Sequence, residues 1–353
     1  MKSGLTIVEM AQQIERQSKL KQDYLLDTRR LQVEPFGSQL YLHTFDDHDD
    51  PLVEPLEINQ IAHRQIGTHL KIPAAYYDRM LSDYPELLAE NVNSWFQREP
   101  AQRMVRTLDG TVRAFLSNRY RRIDNLDIAE IVLPVIQQME DAYFESCQIT
   151  DSRMYIKVVN KRLEAEVVPG DIVQSGVIIS NSEVGLGSVN IQPLVYRLVC
   201  SNGMVVNDAQ TRRTHIGRVN EADENFQLFS RETLAADDHA FAMKIKDTVM
   251  AAVDETRFTR VVGMMREATT VQMNTTDIPG VVRLASKDFN ITEEESTGVL
   301  QRLIEGKDLT APLPWRGLDT ISCPCPDSSG TVSIRWPPDH LQPSQFLRRN
   351  HYV

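Results

Sequence analysis

The amino-acid sequence predicts an α+β fold, because helical and strand-like patterns occupy separate parts of the chain instead of alternating. Residues 58–97 carry apolar side chains at helical spacing, and residues 226–266 do so again. Between them, residues 103–200 form short strand-like runs separated by glycines. The predicted order is N-terminal helices, a central antiparallel β-hairpin and meander, a helical C-terminal half and an irregular tail.

The N-terminal part is predicted to hold a first helix at residues 6–26 and a short strand at residues 40–45. Residues 46–57 contain six acidic residues and two prolines, which is typical of an exposed loop. Three helices are expected from residue 58 onward. Pro73 and Pro85 begin the second and third of these, because proline is well tolerated in the first turn of a helix.

The central part is predicted to begin with a hairpin at residues 103–117 that turns on Asp109–Gly110, a strong hairpin signal. A helix over residues 125–139 is expected next. Four further strands are predicted, at residues 154–159, 176–180, 187–191 and 195–200. The later helices are predicted at residues 226–266, with a break near Asp254, and at residues 292–305.

The composition predicts a cytoplasmic protein. The N-terminus has no long apolar run of the kind found in signal peptides, and no stretch approaches the ~20 apolar residues of a membrane span. Cys147 and Cys200 lie far apart in apolar runs, which indicates buried free thiols. The one-residue spacing of Cys323 and Cys325 is too short for a zinc pair. No membrane partner is expected.

The eight histidines form no metal-binding pair of helical spacing, and no glycine-rich phosphate loop is present. We therefore expect no cofactor and name no catalytic residue. One alternative stays open, an enzyme with a scattered metal-assisted site at Asp46, Asp47, His48 and Asp50. These residues lack the glycine and the distal glutamate of a calcium loop, and a solvated acidic loop explains them as well.

The hairpin is strongly basic: between residues 103 and 122 lie six arginines and a single acidic residue, Asp109. A two-residue turn would place Arg106 directly opposite Arg113, and such like charges repel unless an anion or carboxylates neutralise them. Arginine beside an aromatic ring suits single-stranded nucleic acid. The predicted contact residues are Arg106, Arg113, Phe115, Arg119, Tyr120, Arg121 and Arg122.

Arg212 and Arg213 belong to a second basic segment, which would extend the same nucleic-acid groove or form a solvated loop. Against a nucleic-acid role stands the formal net charge of -11, since phosphate binding requires clustered cations. The alternative for the hairpin arginines is pairing with the surplus carboxylates of this acidic chain. The sequence leaves both interpretations open.

Three stretches carry a family resemblance. They are residues 113–124 (RAFLSNRYRRID), residues 170–183 (GDIVQSGVIISNSE) and residues 196–204 (YRLVCSNGM). Together they resemble the phage- and plasmid-borne family catalogued as domain of unknown function 932. The resemblance implies a mobile-element origin and covers most of the chain to about residue 309, but it supplies no catalytic residues.

The predicted domains are an N-terminal helix and acidic loop at residues 1–57, the family α+β domain at residues 58–310, and a divergent tail at residues 311–353. The tail holds seven of the 17 prolines, its hydrophobic periodicity stops, and it departs from the expected family pattern as a frame-shifted segment would. We expect it to be irregular.

The favoured hypothesis is a non-enzymatic, homo-oligomeric protein of a mobile element that binds or anneals single-stranded DNA. This rests partly on analogy, because mobile elements often encode recombination proteins that anneal strands. The alternatives are the metal-assisted enzyme and an acidic module that binds host or phage proteins and counters host defence.

Overall fold

The computed structural model of the protein describes residues 3–198, 203–205, 211–213 and 231–270, with scattered positions between 279 and 300. It confirms the α+β class, with two separate sheets and helices packed against each. The predicted tail (residues 311–353), Cys200, Cys323 and Cys325 lie outside the described residues. Within the described part of the chain, no helix is long and apolar enough to cross a membrane.

The first sheet has six strands in the order β2-β6-β7-β5-β4-β3. They are β2 (Lys21–Asp27), β3 (Leu31–Phe36), β4 (Gln39–Thr44), β5 (Leu56–Ile58), β6 (Gln102–Leu108) and β7 (Thr111–Ser117), with a 3-10 turn at Thr28–Arg30. Three helices accompany this sheet: α2 (Gln60–His69), α3 (Ala74–Asp83) and α4 (Pro85–Arg98).

The helices pack on the first sheet through one continuous core. Leu88, Val92 and Phe96, spaced at three to four residues on α4, are almost fully buried against strand residues such as Val105 and Phe115. The rings of Phe96 and Phe115 stack with centroids 5.7 Å apart. Helical spacing of apolar side chains thus fixes which face of α4 meets the sheet.

The second sheet has seven strands, of which six follow the order β1-β8-β9-β10-β11-β12 while β13 also pairs with β11. They are β1 (Ser3–Gly4), β8 (Ala142–Ile149), β9 (Met154–Glu166), β10 (Ile172–Asn181), β11 (Val189–Arg197), β12 (Gly203–Val205) and β13 (Thr211–Arg213). Four helices pack against it: α1 (Ile7–Leu20), α5 (Asn125–Gln137), α6 (Arg231–Ala251) and α7 (Glu255–Thr270).

One face of the second sheet carries the larger core. Ile156 of β9 and Ile179 of β10 are fully buried there, together with Met10 of α1, Val132 of α5 and Ile245 of α6. Because successive strand residues point to opposite faces, this core uses every second position of β9 and β10.

The first helix is shorter than the predicted residues 6–26. It ends at Leu20, and the next seven residues form β2, which pairs with β6 from Lys21↔Leu108 to Asp27↔Gln102. Thr6 caps the helix through a capping box with Glu9. The pairing available at the edge of β6 overrides the helical pattern, as tertiary context commonly does.

The strands predicted at residues 187–191 and 195–200 are one strand, β11. On its outer side, β13 pairs with Val189–Ile191 and β12 with Leu194–Tyr196. Pro193 falls in the gap between these two partners, where its missing N–H breaks no ladder bond on that side. The proline that interrupts the sequence pattern therefore lies inside a continuous strand.

The boundary predicted at residue 57 falls inside β5. Strands from both sides of that position share the first sheet, since β2 pairs with β6 and β4 pairs with β5. The pair of helices α6 and α7 confirms the predicted break near Asp254, which lies between them.

Candidate functional site

The basic hairpin turns on Asp109–Gly110 as predicted. Both residues have positive φ values, 50° and 77°, which is the backbone that a two-residue turn of this hand requires. The predicted register is wrong beyond the first pairs. A bulge next to Thr107 shifts the pairing, so that Arg106 lies opposite Ala114 and Arg113 has no direct partner on β6. The bulge removes the repulsion expected between two arginines placed face to face.

Arg106 is fully buried, with 0% of its surface exposed. Its guanidinium donates to both carboxylate oxygens of Asp23 at 2.8 and 3.0 Å, to Asp124 Oδ1 at 2.7 Å and to the carbonyl of Glu183 at 2.8 Å. The guanidinium carbon also lies 5.9 Å from the ring centre of Tyr120. These contacts satisfy four of the five N–H groups of the side chain.

Arg113 is also buried, with 8% exposed. Its Nη2 donates to Glu183 Oε2 at 2.6 Å, while Glu183 Oε1 accepts the backbone N–H of Asn125 at 2.6 Å and lies 3.5 Å from Lys21 Nζ. The Nε of Arg113 is buried and has no hydrogen-bond partner among the described residues. Glu183 thus holds three donors from three separate elements.

These side chains form one connected group, here called the ion cluster, in which Arg106, Arg113 and Glu183 are buried and the others half-buried. Its three cations and three carboxylates are Lys21, Asp23, Arg106, Arg113, Asp124 and Glu183. Burial disfavours the charged form of Asp124, but Arg106 and Lys21 outweigh this and hold the pKa of its carboxyl below the usual value. The charges balance, which offsets part of the cost of removing them from water.

The ion cluster joins the two sheets. Strands β2, β6 and β7 of the first sheet supply Asp23, Arg106 and Arg113, whereas Asp124 precedes α5 and Glu183 follows β10 of the second sheet. Lys21, Asp23, Asp124 and Glu183 were not among the site residues predicted from sequence. The available signal was the acidic surplus and the position of Glu183 at the end of the segment 170–183 that carries the family resemblance.

The contact surface predicted from sequence required exposed side chains, and four of its members are buried. Besides Arg106 and Arg113, Phe115 is 3% exposed within the first-sheet core, and Tyr120 is 8% exposed and donates to the carbonyl of Ser182 at 3.1 Å. Both faces of the hairpin are covered, and carboxylates occupy the space around the two arginines. The described residues therefore leave no open groove along the hairpin.

The other predicted residues lie nearer the surface. Arg119 is half-buried and Arg122 is exposed, 3.4 Å from Asp23. Arg121 pairs with two carboxylates of α6, with Asp237 at 3.2 Å and with Asp238. The residues that follow the hairpin are thus the part of the basic segment that a partner could contact.

The second basic segment lies at the end of the second sheet where Ser182 contacts Tyr120 of the first basic segment. Arg212 and Arg213 belong to β13, where Arg212 is opposite Asn190, which in turn is opposite Ser180 of β10. Two strand spacings separate the backbones of Arg212 and Ser180, about 10 Å. Ser182, two residues beyond Ser180, holds the hydroxyl of Tyr120.

The acidic loop proposed as an alternative metal site is organised by its own hydrogen bonds. Asp46 Oδ1 accepts the backbone N–H of His48 at 2.7 Å and of Asp50 at 3.0 Å, and Asp47 pairs with Arg30. Among the described residues, no group of three His, Cys, Asp or Glu side chains is placed to hold a metal ion.

The fold and the ion cluster define a two-sheet α+β protein whose sheets are fastened by buried ion pairs. The model of a family described as a domain of unknown function, DUF932, matches residues 113–307, more than half of the chain. The chain belongs to this family. Neither the curated proteins nor the solved structures gave a match. The matched region begins at Arg113, inside the hairpin.

Proposed function

We propose that the protein binds or anneals single-stranded nucleic acid without catalysing a reaction. The observation that carries this proposal is the strand register, which brings residues 119–122 and β13 to one end of the second sheet. Two basic segments separated by about 90 residues in sequence thereby become neighbours. The proposed contact surface consists of residues 119–122 and β13, and it is not a groove along the hairpin. The buried side chains of Arg106 and Arg113 support this surface and do not form part of it.

The chemistry of these segments favours contact with phosphates. Arg119 and Arg122 present guanidinium groups near solvent, whereas the ring of Tyr120 is buried and is not free to stack on a base. Phosphate contacts carry no sequence information, so binding is expected to tolerate any sequence and to weaken steeply with salt.

The cellular setting of the proposal comes from the family resemblance. A mobile-element origin suits a cytoplasmic protein of DNA recombination, because such elements encode proteins that anneal single strands. Annealing requires two strands to be held side by side, and a homo-oligomer with one strand on each copy would provide this. The acidic remainder of the chain, at a formal net charge of -11, would lie away from the nucleic acid.

The test is fluorescence anisotropy of a labelled 30-nucleotide oligothymidine at 50 and 200 mM NaCl. The variant Arg119→Ala/Arg122→Ala should weaken binding, and its plot of log K against log salt should be flatter by about 1.4, the value for two lost phosphate contacts on a single strand. The matched control is Arg79→Ala/Arg98→Ala, which removes the same charge from α3 and α4, helices that pack on the first sheet. No binding at 50 mM NaCl, or equal weakening in the control, would reject the proposal.

Arg106→Ala/Arg113→Ala is unsuitable for this test. Both side chains are buried in the ion cluster, so their removal leaves carboxylates unpaired and destabilises the fold. Loss of binding in that variant would not distinguish a contact residue from a structural one.

A second candidate is supported by charge. The net charge of -11 and the exposed carboxylates Asp237 and Asp238 of α6 favour an acidic surface that binds a basic host or phage protein. The same two carboxylates hold Arg121, which shows that they accept a guanidinium. Absence of oligonucleotide binding at low salt, together with salt-sensitive binding of a labelled oligo-arginine peptide that Asp237→Asn/Asp238→Asn abolishes, would favour this candidate.

A further inference from the structure

A cavity of about 360 Å³ lies beside the ion cluster. Its walls come from the β6–β7 turn of the first sheet and from the β8–β9 and β10–β11 connections of the second. This volume is near the lower limit for small-molecule pockets. The position between two sheets is one at which ligand sites commonly form, since each sheet supplies part of the wall.

Two buried donors with unused capacity line this cavity. Arg113, 8% exposed, has one hydrogen-bonding partner among the described residues, Glu183, whereas Arg106 beside it donates four bonds. Asn125, 6% exposed, accepts a bond from Asn181 through Oδ1, and within the described part of the chain its own amide nitrogen donates none. The Nε of Arg113 is a buried donor without a partner among the described residues, and such a donor costs free energy that a ligand oxygen would recover.

A second arginine, Arg153, lines the same cavity. It donates to the carbonyl of Leu186 at 2.5 Å and to the hydroxyl of Tyr155 at 3.2 Å. These bonds hold an otherwise exposed side chain in place before any ligand arrives. Arg113 and Arg153 thus both lie on the wall of this cavity.

The remaining wall restricts what the anion can be. Three carboxylate residues, Asp109, Asp151 and Glu183, line the cavity together with Thr111 and Ser152, and Glu183 already pairs with Arg113. Carboxylates accept hydrogen bonds from hydroxyl groups. A molecule that matches both halves of the wall carries one anionic group and several hydroxyls.

We propose that this cavity binds a small sugar phosphate, with the phosphate on Arg113 and Arg153 and the sugar hydroxyls on Asp109 and Asp151. The inference does not depend on nucleic-acid binding by the basic segments. The same chemical group occurs as a free metabolite and at the 5′ end of a nucleic-acid strand, and the experiment separates these sources.

Isothermal titration calorimetry of the full chain with ribose 5-phosphate tests the proposal. Saturable binding at one site per chain is expected, about tenfold weaker in Arg153→Gln because one charge-assisted hydrogen-bond donor is lost. Arg162→Gln is the matched control, since Arg162 is also exposed and lies on β9, with Glu140 as its partner instead of the cavity. The affinity of Arg162→Gln for ribose 5-phosphate should stay within twofold of that of the wild type. Arg113→Lys should weaken binding, and the thermal unfolding midpoint of that variant shows whether it still folds.

Ribose without phosphate should give no saturable heat. Absence of binding by ribose 5-phosphate, equal binding by ribose, or equal weakening in Arg162→Gln would overturn the assignment. Anisotropy with a 12-nucleotide strand, with and without a 5′ phosphate, then identifies the source. A preference for the phosphorylated strand that Arg153→Gln removes indicates a strand end, and equal binding of both strands indicates a free sugar phosphate.

Discussion

Removing the charge of Glu183 tests whether the ion cluster fastens the two sheets. In Glu183→Gln the shape of the side chain is kept, but one oxygen becomes an amide donor. Glu183 is 5% exposed and accepts from Arg113 at 2.6 Å and from the backbone of Asn125 at 2.6 Å. The substitution leaves Arg113 as a buried cation without a carboxylate partner.

The expected cost follows from that burial. Breaking a buried ion pair by removing one partner destabilises a protein by about 3–5 kcal/mol, because the remaining charge stays desolvated. Whole domains are stable by about 5–15 kcal/mol, so the loss is a large fraction of the total. An exposed pair in the same chain, Arg162–Glu140 at 3.2 Å, has side chains 62% and 80% exposed and should contribute about 0–1 kcal/mol.

Urea unfolding followed by tryptophan fluorescence and by circular dichroism measures both quantities. Glu183→Gln should lower the free energy of unfolding by several kcal/mol and Glu140→Gln by less than about 1 kcal/mol. A double-mutant cycle with Arg113→Met should show coupling, since the two side chains are in direct contact. A cost for Glu183→Gln no larger than that for Glu140→Gln would refute the view that this pair holds the sheets together.

Three further predictions concern pH, backbone space and thiol reactivity. Burial lowers the pKa of His63 to about 4, below its unfolded value near 6.5. Neutral His63 therefore contributes folding stability that is fully present above about pH 6.5 and is lost as the pH falls toward 4. Stability should drop between pH 8 and pH 5 by about 2 kcal/mol more in the wild type than in His63→Gln, and an equal drop by urea unfolding would contradict this. A Cβ at Gly176 would lie 2.4 Å from the Val158 carbonyl oxygen, whereas no atom of the described residues lies within 4 Å of one at Gly263 of α7. Gly176→Ala should therefore destabilise the protein by about 1–3 kcal/mol, and Gly263→Ala should stabilise it by up to about 1 kcal/mol. Thermal unfolding midpoints measure both effects, and shifts of the same sign in the two variants would refute this prediction. Burial raises the pKa of the Cys147 thiol to about 11, so peptide mass spectrometry should find it unmodified by iodoacetamide at pH 8 until urea is added, and rapid native labelling would show the thiol to be accessible.

The sequence was sufficient where structure depends on neighbours in the chain. The turn at Asp109–Gly110 and the helix start at Pro85 follow from local backbone preferences, and both occur where they were predicted. The register of the same hairpin was not predictable in this way. Its bulge serves Arg106 and Arg113, whose shared partner Glu183 lies 70 or more residues further along the chain.

The burial of four of the predicted contact residues was not predictable for a related reason. Arginines are usually exposed, so a cluster of six was interpreted as a surface. Here Arg106 is enclosed by carboxylates that come from Asp23 and Asp124, 83 and 18 residues away. Single-sequence patterns record spacing along the chain, and they do not show which distant carboxylate will meet which guanidinium.

The order of the ion-cluster residues along the chain has a consequence for how the protein is made. When Ser117 leaves the ribosome, every strand of the first sheet has been synthesised, but Glu183 has not. At ~5–20 residues per second, the wait lasts several seconds. During that time Arg106 and Arg113 lack a principal partner and the first sheet must persist without its second half. Translation speed over residues 118–183 therefore bears on the yield of correctly joined sheets, and a pause there would lengthen the exposure of an unfinished, charged interface.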